Sequence, residues 1–121
     1  MSFKGHLTKS KLVIRYEKFL PAWKEMRVKH GMNEGRWQKE YARSLIEILS
    51  FNGFEAEVND EGDIVDVNFG DDLNLYHVDD FLRDLAPYVE DGSYLRFLTE
   101  YDTSDRYEFL DGRLIATSVE V

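Results

Sequence analysis

The chain contains no cysteine, only two prolines (Pro21 and Pro87) and no long apolar run. Without thiols there is no disulfide framework, no thiolate nucleophile and no Cys-type zinc site. No apolar stretch approaches the roughly 20 residues that a membrane span requires. The leading segment, MSFKGHLTKSK, lacks the apolar core of a secretory signal. Together these absences predict a cytoplasmic protein with no membrane partner. Chemical signatures are missing as well: there is no glycine-rich phosphate loop, dinucleotide fingerprint, nucleophile elbow or H-E-x-x-H pair. His6, His30 and His77 are widely separated, and surface or capping roles are expected of each. These patterns call for no enzyme activity, no cofactor and no metal.

What is present is a chain of 121 residues, enough for one domain that buries about two-thirds of its unfolded surface without a covalent staple. The net charge of −9 conceals an asymmetry. Residues 1–52 carry 11 basic and 5 acidic side chains, a net of +6, whereas residues 53–121 carry 4 and 19, a net of −15. A basic helical part is therefore followed by an acidic part. This bears on partners and association rates, not on the fold.

The most regular stretch is NEGRWQKEYARSLIEILSFNG, residues 33–53. Trp37, Tyr41, Leu45, Ile48 and Leu49 recur at helical spacing, Asn33 can cap the start, and Asn52-Gly53 is a stop, which predicts one helix over 33–52. Upstream, Met1–Leu7 reads as a short edge strand. From Ser10 the positions Leu12, Tyr16, Phe19, Leu20 and Trp23 again follow helical spacing, with Pro21 imposing a kink or dividing the segment into two consecutive helices. Gly31 ends it. Downstream, Phe54–Val58 and Ile64–Phe69 flank the turn residues 59–63 and read as a hairpin. A short helix beginning near His77–Asp79 turns Val78, Phe81, Leu82 and Leu85 inward and is limited by Pro87. Ser93–Tyr101, Arg106–Leu110 and Arg113–Val121 then form a meander whose tightest turn is Asp111-Gly112. The expected class is α+β: N-terminal helices packed on a mainly antiparallel sheet, in the order α-α-β-β-α-β-β-β.

The stretch LAPYVEDGSYLRFLTEYDTSDRYEFLDGRL resembles the C-terminal end of small, uncharacterised bacterial and phage-borne α+β proteins, in which a short helix leads into G-S-Y-x-x-F, a charged turn, an aromatic strand and a D-G hairpin. It covers about a quarter of the chain and consists of structural residues. The resemblance implies a fold and a mobile-element origin. It carries over no catalytic residue.

Charge supplies the candidate sites. Asp71, Asp72, Asp79, Asp80, Asp84, Asp102 and Asp105 lie in turns and on predicted exposed faces of the acidic part. Small acidic proteins use such a field to steer docking onto a basic surface of another protein. The expected function is therefore a non-enzymatic, acidic protein-binding module: a phage or mobile-element inhibitor, or a toxin-immunity protein. The alternative is a small metal-dependent hydrolase or nuclease using the Asp71–Asp84 carboxylates beside His77. Residues i and i+1 point apart, however, and acids at a helix start are ordinary dipole chemistry. Self-association is a third reading, with basic helices of one chain meeting the acidic sheet of another. Lys4, Lys9, Lys11, Arg15, Lys18, Lys24, Arg27 and Lys29 could follow phosphates, Lys11, Arg15 and Lys18 on one helical face. A chain of net charge −9 disfavours nucleic acid unless its charges are well segregated.

Overall fold

In the computed structural model, which describes residues 4–34, 39–70, 73–74 and 77–120, the chain is α+β and its strand pairings are all antiparallel. The main sheet has five strands in the order β6 (Leu73–Asn74), β1 (Lys4–Lys11), β7 (Tyr94–Thr99), β8 (Thr103–Leu110) and β9 (Arg113–Glu120). Two hairpins stand beside it: β2 (Met32–Glu34) with β3 (Lys39–Tyr41), and β4 (Phe54–Val58) with β5 (Ile64–Phe69). The helices are α1 (Phe19–His30), α2 (Leu45–Phe51) and α3 (Val78–Leu85).

The hairpin at 54–69, the inward face of α3 and the Asp111-Gly112 turn lie where the sequence places them. Val78, Phe81, Leu82 and Leu85 are all buried. Asp111 and Gly112 both have positive φ (52° and 72°), the geometry of the tight turn that suits the twist of β8 and β9.

Two N-terminal expectations are corrected. Residues 10–15 are not helical. Leu12, Val13 and Ile14 are extended and buried, and the backbone groups of Val13 and Ile14 are bonded to two separate parts of the chain. Val13 N donates to Ser93 Oγ at 3.0 Å and Val13 O accepts from Glu90 N at 2.8 Å. Ile14 exchanges a pair of 2.9 Å bonds with Ile64. A helix there would leave those buried partners unsatisfied. Helical structure starts instead with a 3-10 turn at Tyr16–Lys18 followed by α1, so Pro21 falls in the first turn of α1, where its missing N–H costs nothing. Nor is β1 an edge strand, since it lies between β6 and β7.

The helix expected over 33–52 is also replaced. Met32, Asn33 and Glu34 pair with Tyr41, Glu40 and Lys39, and α2 begins only after Ser44. Tertiary bonds hold the extended form: Ala42 N donates to Gly31 O at 2.6 Å, and Trp23 Nε1 donates to Ala42 O at 2.7 Å. The Arg27 guanidinium sits between the rings of Trp23 (5.0 Å) and Tyr41 (5.3 Å) and fastens the hairpin to α1. Ser44 accepts from Glu47 N at 3.2 Å, the S-x-x-E start signal of the helix that does form. Trp37 lies outside the described residues. Gly31 closes α1 for want of room: a Cβ there would lie 2.7 Å from the Arg27 backbone.

A chain of aromatic contacts runs through the core. His30 meets Phe81 edge-on at 5.3 Å, Phe81 stacks on Phe54 at 5.7 Å, and Phe54 meets Phe69 at 4.9 Å. Phe69 then meets Phe97 at 5.2 Å, and Phe97 meets Tyr107 at 5.9 Å. It joins α1, α3, the β4–β5 hairpin and the main sheet. Removing one of its fully buried rings, Phe81→Ala, is expected to cost about 3–5 kcal/mol. Ser93→Ala, which orphans the buried Val13 N–H, is expected to cost about 1–3 kcal/mol. Urea-unfolding midpoints of the two variants measure both, and a loss below about 0.5 kcal/mol in either would contradict the packing described.

Candidate functional site

Asp71 and Asp72 lie outside the described residues. The remaining acids singled out in the sequence do not form one field. Asp79 and Asp80 start α3, and their side chains line different clefts, as adjacent helical residues must. Asp79 lies with Asp105, Ser118 and Tyr107 around a cleft of about 220 Å³. There the Tyr107 hydroxyl is hydrogen-bonded to Asp79, and Asp105 accepts from Ser118 Oγ at 2.8 Å. Burial first, then the Asp79 bond, pushes the Tyr107 phenol well above its ordinary value. It therefore serves as a neutral donor. Asp80 lines a second cleft of about 390 Å³ with Lys29, His30, Met32, Asn52 and His77. Asp102 occupies the β7–β8 turn at a φ of 57°.

Asp84 is committed to neighbours. Its Oδ2 lies 2.7 Å from His30 Nε2 and 3.0 Å from Lys29 Nζ. The His30 hydrogen bond holds its carboxyl below the usual carboxylate range; burial opposes this, and Lys29 adds to it. His30 is thus a packed, hydrogen-bonded side chain of the aromatic chain. Among the described residues no three His, Asp or Glu side chains are grouped to hold a metal ion.

The basic stripe expected on a helix is also rearranged. Lys11 is in β1, Lys18 ends the 3-10 turn, and Arg15 between them bonds Asp63 (3.3 Å) and Glu90 (3.0 Å). The three do not act together.

Two surfaces that the sequence did not single out emerge instead. The first is a groove of about 460 Å³ lined by Tyr16, Glu17, Phe19, Leu20, Trp23, Arg43, Ser44 and Leu45. Tyr16 (66% exposed) and Leu20 (58%) leave large apolar area in water there. Tyr16 also covers the tip of the β4–β5 hairpin, its ring 3.5 Å from where a Cβ on Gly62 would stand. Gly62, with φ of 85°, makes that turn possible. The turn carries Asp60 and Glu61, both exposed, just before the Gly62 that Tyr16 covers, and Glu17 lines the groove itself. From Gly53 to Leu82 the chain has ten acidic residues and no Lys or Arg. Glu57 even stands directly opposite Asp66 across the hairpin, a pairing that is destabilising by itself.

The second is the outer face of the main sheet. Leu95, Phe97 and Thr99 of β7 point to the core, so Tyr94, Arg96 and Leu98 point outward. Register sets Lys9 of β1 beside Arg96, and Arg96 beside Arg106 of β8. The alternation of β7 was legible in the sequence. The register that assembles the row was not.

No family model, curated protein or solved structure matches the chain, so geometry alone carries the functional reading. No described helix is long and apolar enough to cross a membrane.

Asp84 gives a pH test. Because its folded-state pKa is depressed, its contribution to stability is present above the unfolded value near 3.9 and is lost as pH falls through the lower, folded value. Asp84→Asn should therefore lower Tm by a few degrees at neutral pH, the difference from the parent vanishing in strong acid. Thermal melts over the acid range check this, and an equal difference at every pH would contradict it.

Proposed function

We propose that the protein is a non-enzymatic protein-binding module that docks on a partner through the apolar groove at the start of α1, with the acids of the β4–β5 turn at its rim. The observation that carries this is the pairing of exposed Tyr16 and Leu20 with Glu17, Asp60 and Glu61 in one region. An apolar centre bordered by charge is the anatomy of a protein interface, and a tyrosine of this exposure is a good anchor. The sign of the rim selects a partner whose own apolar site is surrounded by Lys and Arg, and it speeds their encounter. The reading keeps the expectation of a basic partner but moves the contact. Asp79, Asp80, Asp84, Asp102 and Asp105 drop out of the contact. An inhibitor or immunity role, of the mobile-element kind that the C-terminal resemblance implies, is this module's widest form: a groove and rim that occupy a site where the partner handles an anionic substrate.

The test uses the intact protein as bait in lysate of its native host, at low and high salt, with captured proteins identified by mass spectrometry. The wild type should retain a basic protein that high salt releases. Combined Tyr16→Ser and Leu20→Ser should lower retention about tenfold or more. Asp60→Lys with Glu61→Lys should weaken it and flatten its salt dependence. All four changed positions are exposed or rim residues, so Tm should hardly move. Equal retention by the variants, or none by the wild type at either salt, would overturn the proposal.

A further inference from the structure

We infer that the outer face of the main sheet is a binding surface for single-stranded nucleic acid, formed by the cation row Lys9–Arg96–Arg106 and the neighbouring ring of Tyr94. This surface shares no residue with the groove at α1 and does not depend on it. The row is set by register: Lys9 pairs with Arg96, and Arg96 with Arg106, on adjacent strands. Three cations thus stand in line at strand spacing of roughly 5 Å, where like charges directly opposite each other are unfavourable without an anion between them. Lys9, Arg96 and Arg106 take part in no ion pair with a described carboxylate. Arg106 Nε is in addition buried with no hydrogen-bond partner among the described residues. Lys11, paired in register with Tyr94, and Lys4 extend the positive field along β1, whereas Glu100 and Glu108 are the acids on this face.

The occupant is chosen by the aromatic. Tyr94 is half-buried in the same outward row as Arg96, with Lys9 Nζ at 5.9 Å and Arg96 Cζ at 5.8 Å from its ring centre. Those distances sit at the outer limit of a cation–π contact, so either cation can swing to a phosphate at little cost. A ring framed by cations on an open sheet offers a stacking platform for a base with phosphate ligands on both sides. A groove of about 210 Å³ beside it is lined by Tyr94, Arg96 and Glu108. The Glu108 carboxylate there can accept from the exocyclic amine of a base. An acidic peptide would satisfy the cations but has no use for the ring.

The net charge of −9 does not forbid this. Beyond a Debye length of about 8 Å at physiological salt, the acids elsewhere are largely screened, while contact cations are not. The acid-rich run without Lys or Arg from Gly53 to Leu82 contributes the β4–β5 hairpin, which is no part of this face, and reaches the main sheet only as the two-residue edge strand β6, on the far side of β1 from β7 and β8.

The test is fluorescence anisotropy with dye-labelled mixed-sequence single-stranded RNA and DNA, the matching duplex, and a poly-glutamate peptide. Single strands should bind best, with log affinity falling against log salt at a slope of about −2 for three phosphate contacts. Lys9→Gln, at an exposed position, should reduce that slope by about 0.7. Tyr94→Ala should weaken binding about 5- to 150-fold, and Tyr94→Phe should restore it. Circular dichroism confirms that each variant is folded. No binding of single strands at low salt would overturn the inference. Poly-glutamate binding as tight as that of the oligonucleotides and indifferent to Tyr94→Ala would also overturn it, leaving an acidic protein as the occupant. None of these probes touches the groove at α1, so failure here leaves the protein-docking proposal standing, and the reverse also holds.

Discussion

The rest of the structure depends on the buried extended segment Leu12–Ile14. It carries β1 out of the main sheet and bonds to the β4–β5 hairpin through Ile64, and to the loop before β7 through Glu90 and Ser93. A buried backbone group left unpaired costs about 1–3 kcal/mol, so these bonds fix where the three parts meet. Just beyond the segment, Arg15 bonds Asp63 of the hairpin turn and Glu90 of the same loop. Tyr16 then settles over Gly62. The apolar groove and its acidic rim are in this sense a consequence of how residues 12–14 are held.

The same packing explains why unfavourable surface charge is tolerated. Arg96 faces Arg106 on the main sheet, and Glu57 faces Asp66 on the hairpin. Each such pair costs a fraction of a kcal/mol, whereas a single ring of the aromatic chain supplies several. The fold can therefore hold rows of one sign on two different sheets. An external partner of opposite charge would relieve repulsion that folding leaves in place.

Much of the architecture was legible from local chemistry. Glu55 and Glu57 alternate with Phe54, Ala56 and Val58, the apolar stripe of α3 has a clean helical period, and Asp111-Gly112 has only one good use between strands. The failures have a common cause. Leu12, Tyr16, Leu20 and Trp23 share helical spacing, yet Leu12 is buried in extended chain while Tyr16 and Leu20 are exposed. Tyr41 and Leu45 share it too, yet Tyr41 is strand and leans on Arg27. In both places long-range hydrogen bonds, from Ile64 and Ser93 or from Gly31 and Trp23, outweigh periodicity, and no local pattern contains them. The one local signal passed over was Ser44-x-x-Glu47, which marks the true start of α2. The candidate sites were less legible than the fold. A list of acids does not say which will share a surface, and the cation row exists only once β1, β7 and β8 are in register.

Two proposed binding surfaces of opposite charge on separate elements should answer to different ligands. Amide chemical-shift mapping distinguishes them, with isotope-labelled protein titrated once with a single-stranded oligonucleotide and once with an oligolysine peptide. The oligonucleotide should move resonances of β1, β7 and β8 around Lys9, Tyr94, Arg96 and Arg106. The peptide should instead move those of Tyr16–Lys18 and of the turn from Asn59 to Asp63. Shifts at the same residues with both ligands, or shifts scattered over charged positions throughout the chain, would contradict this separation.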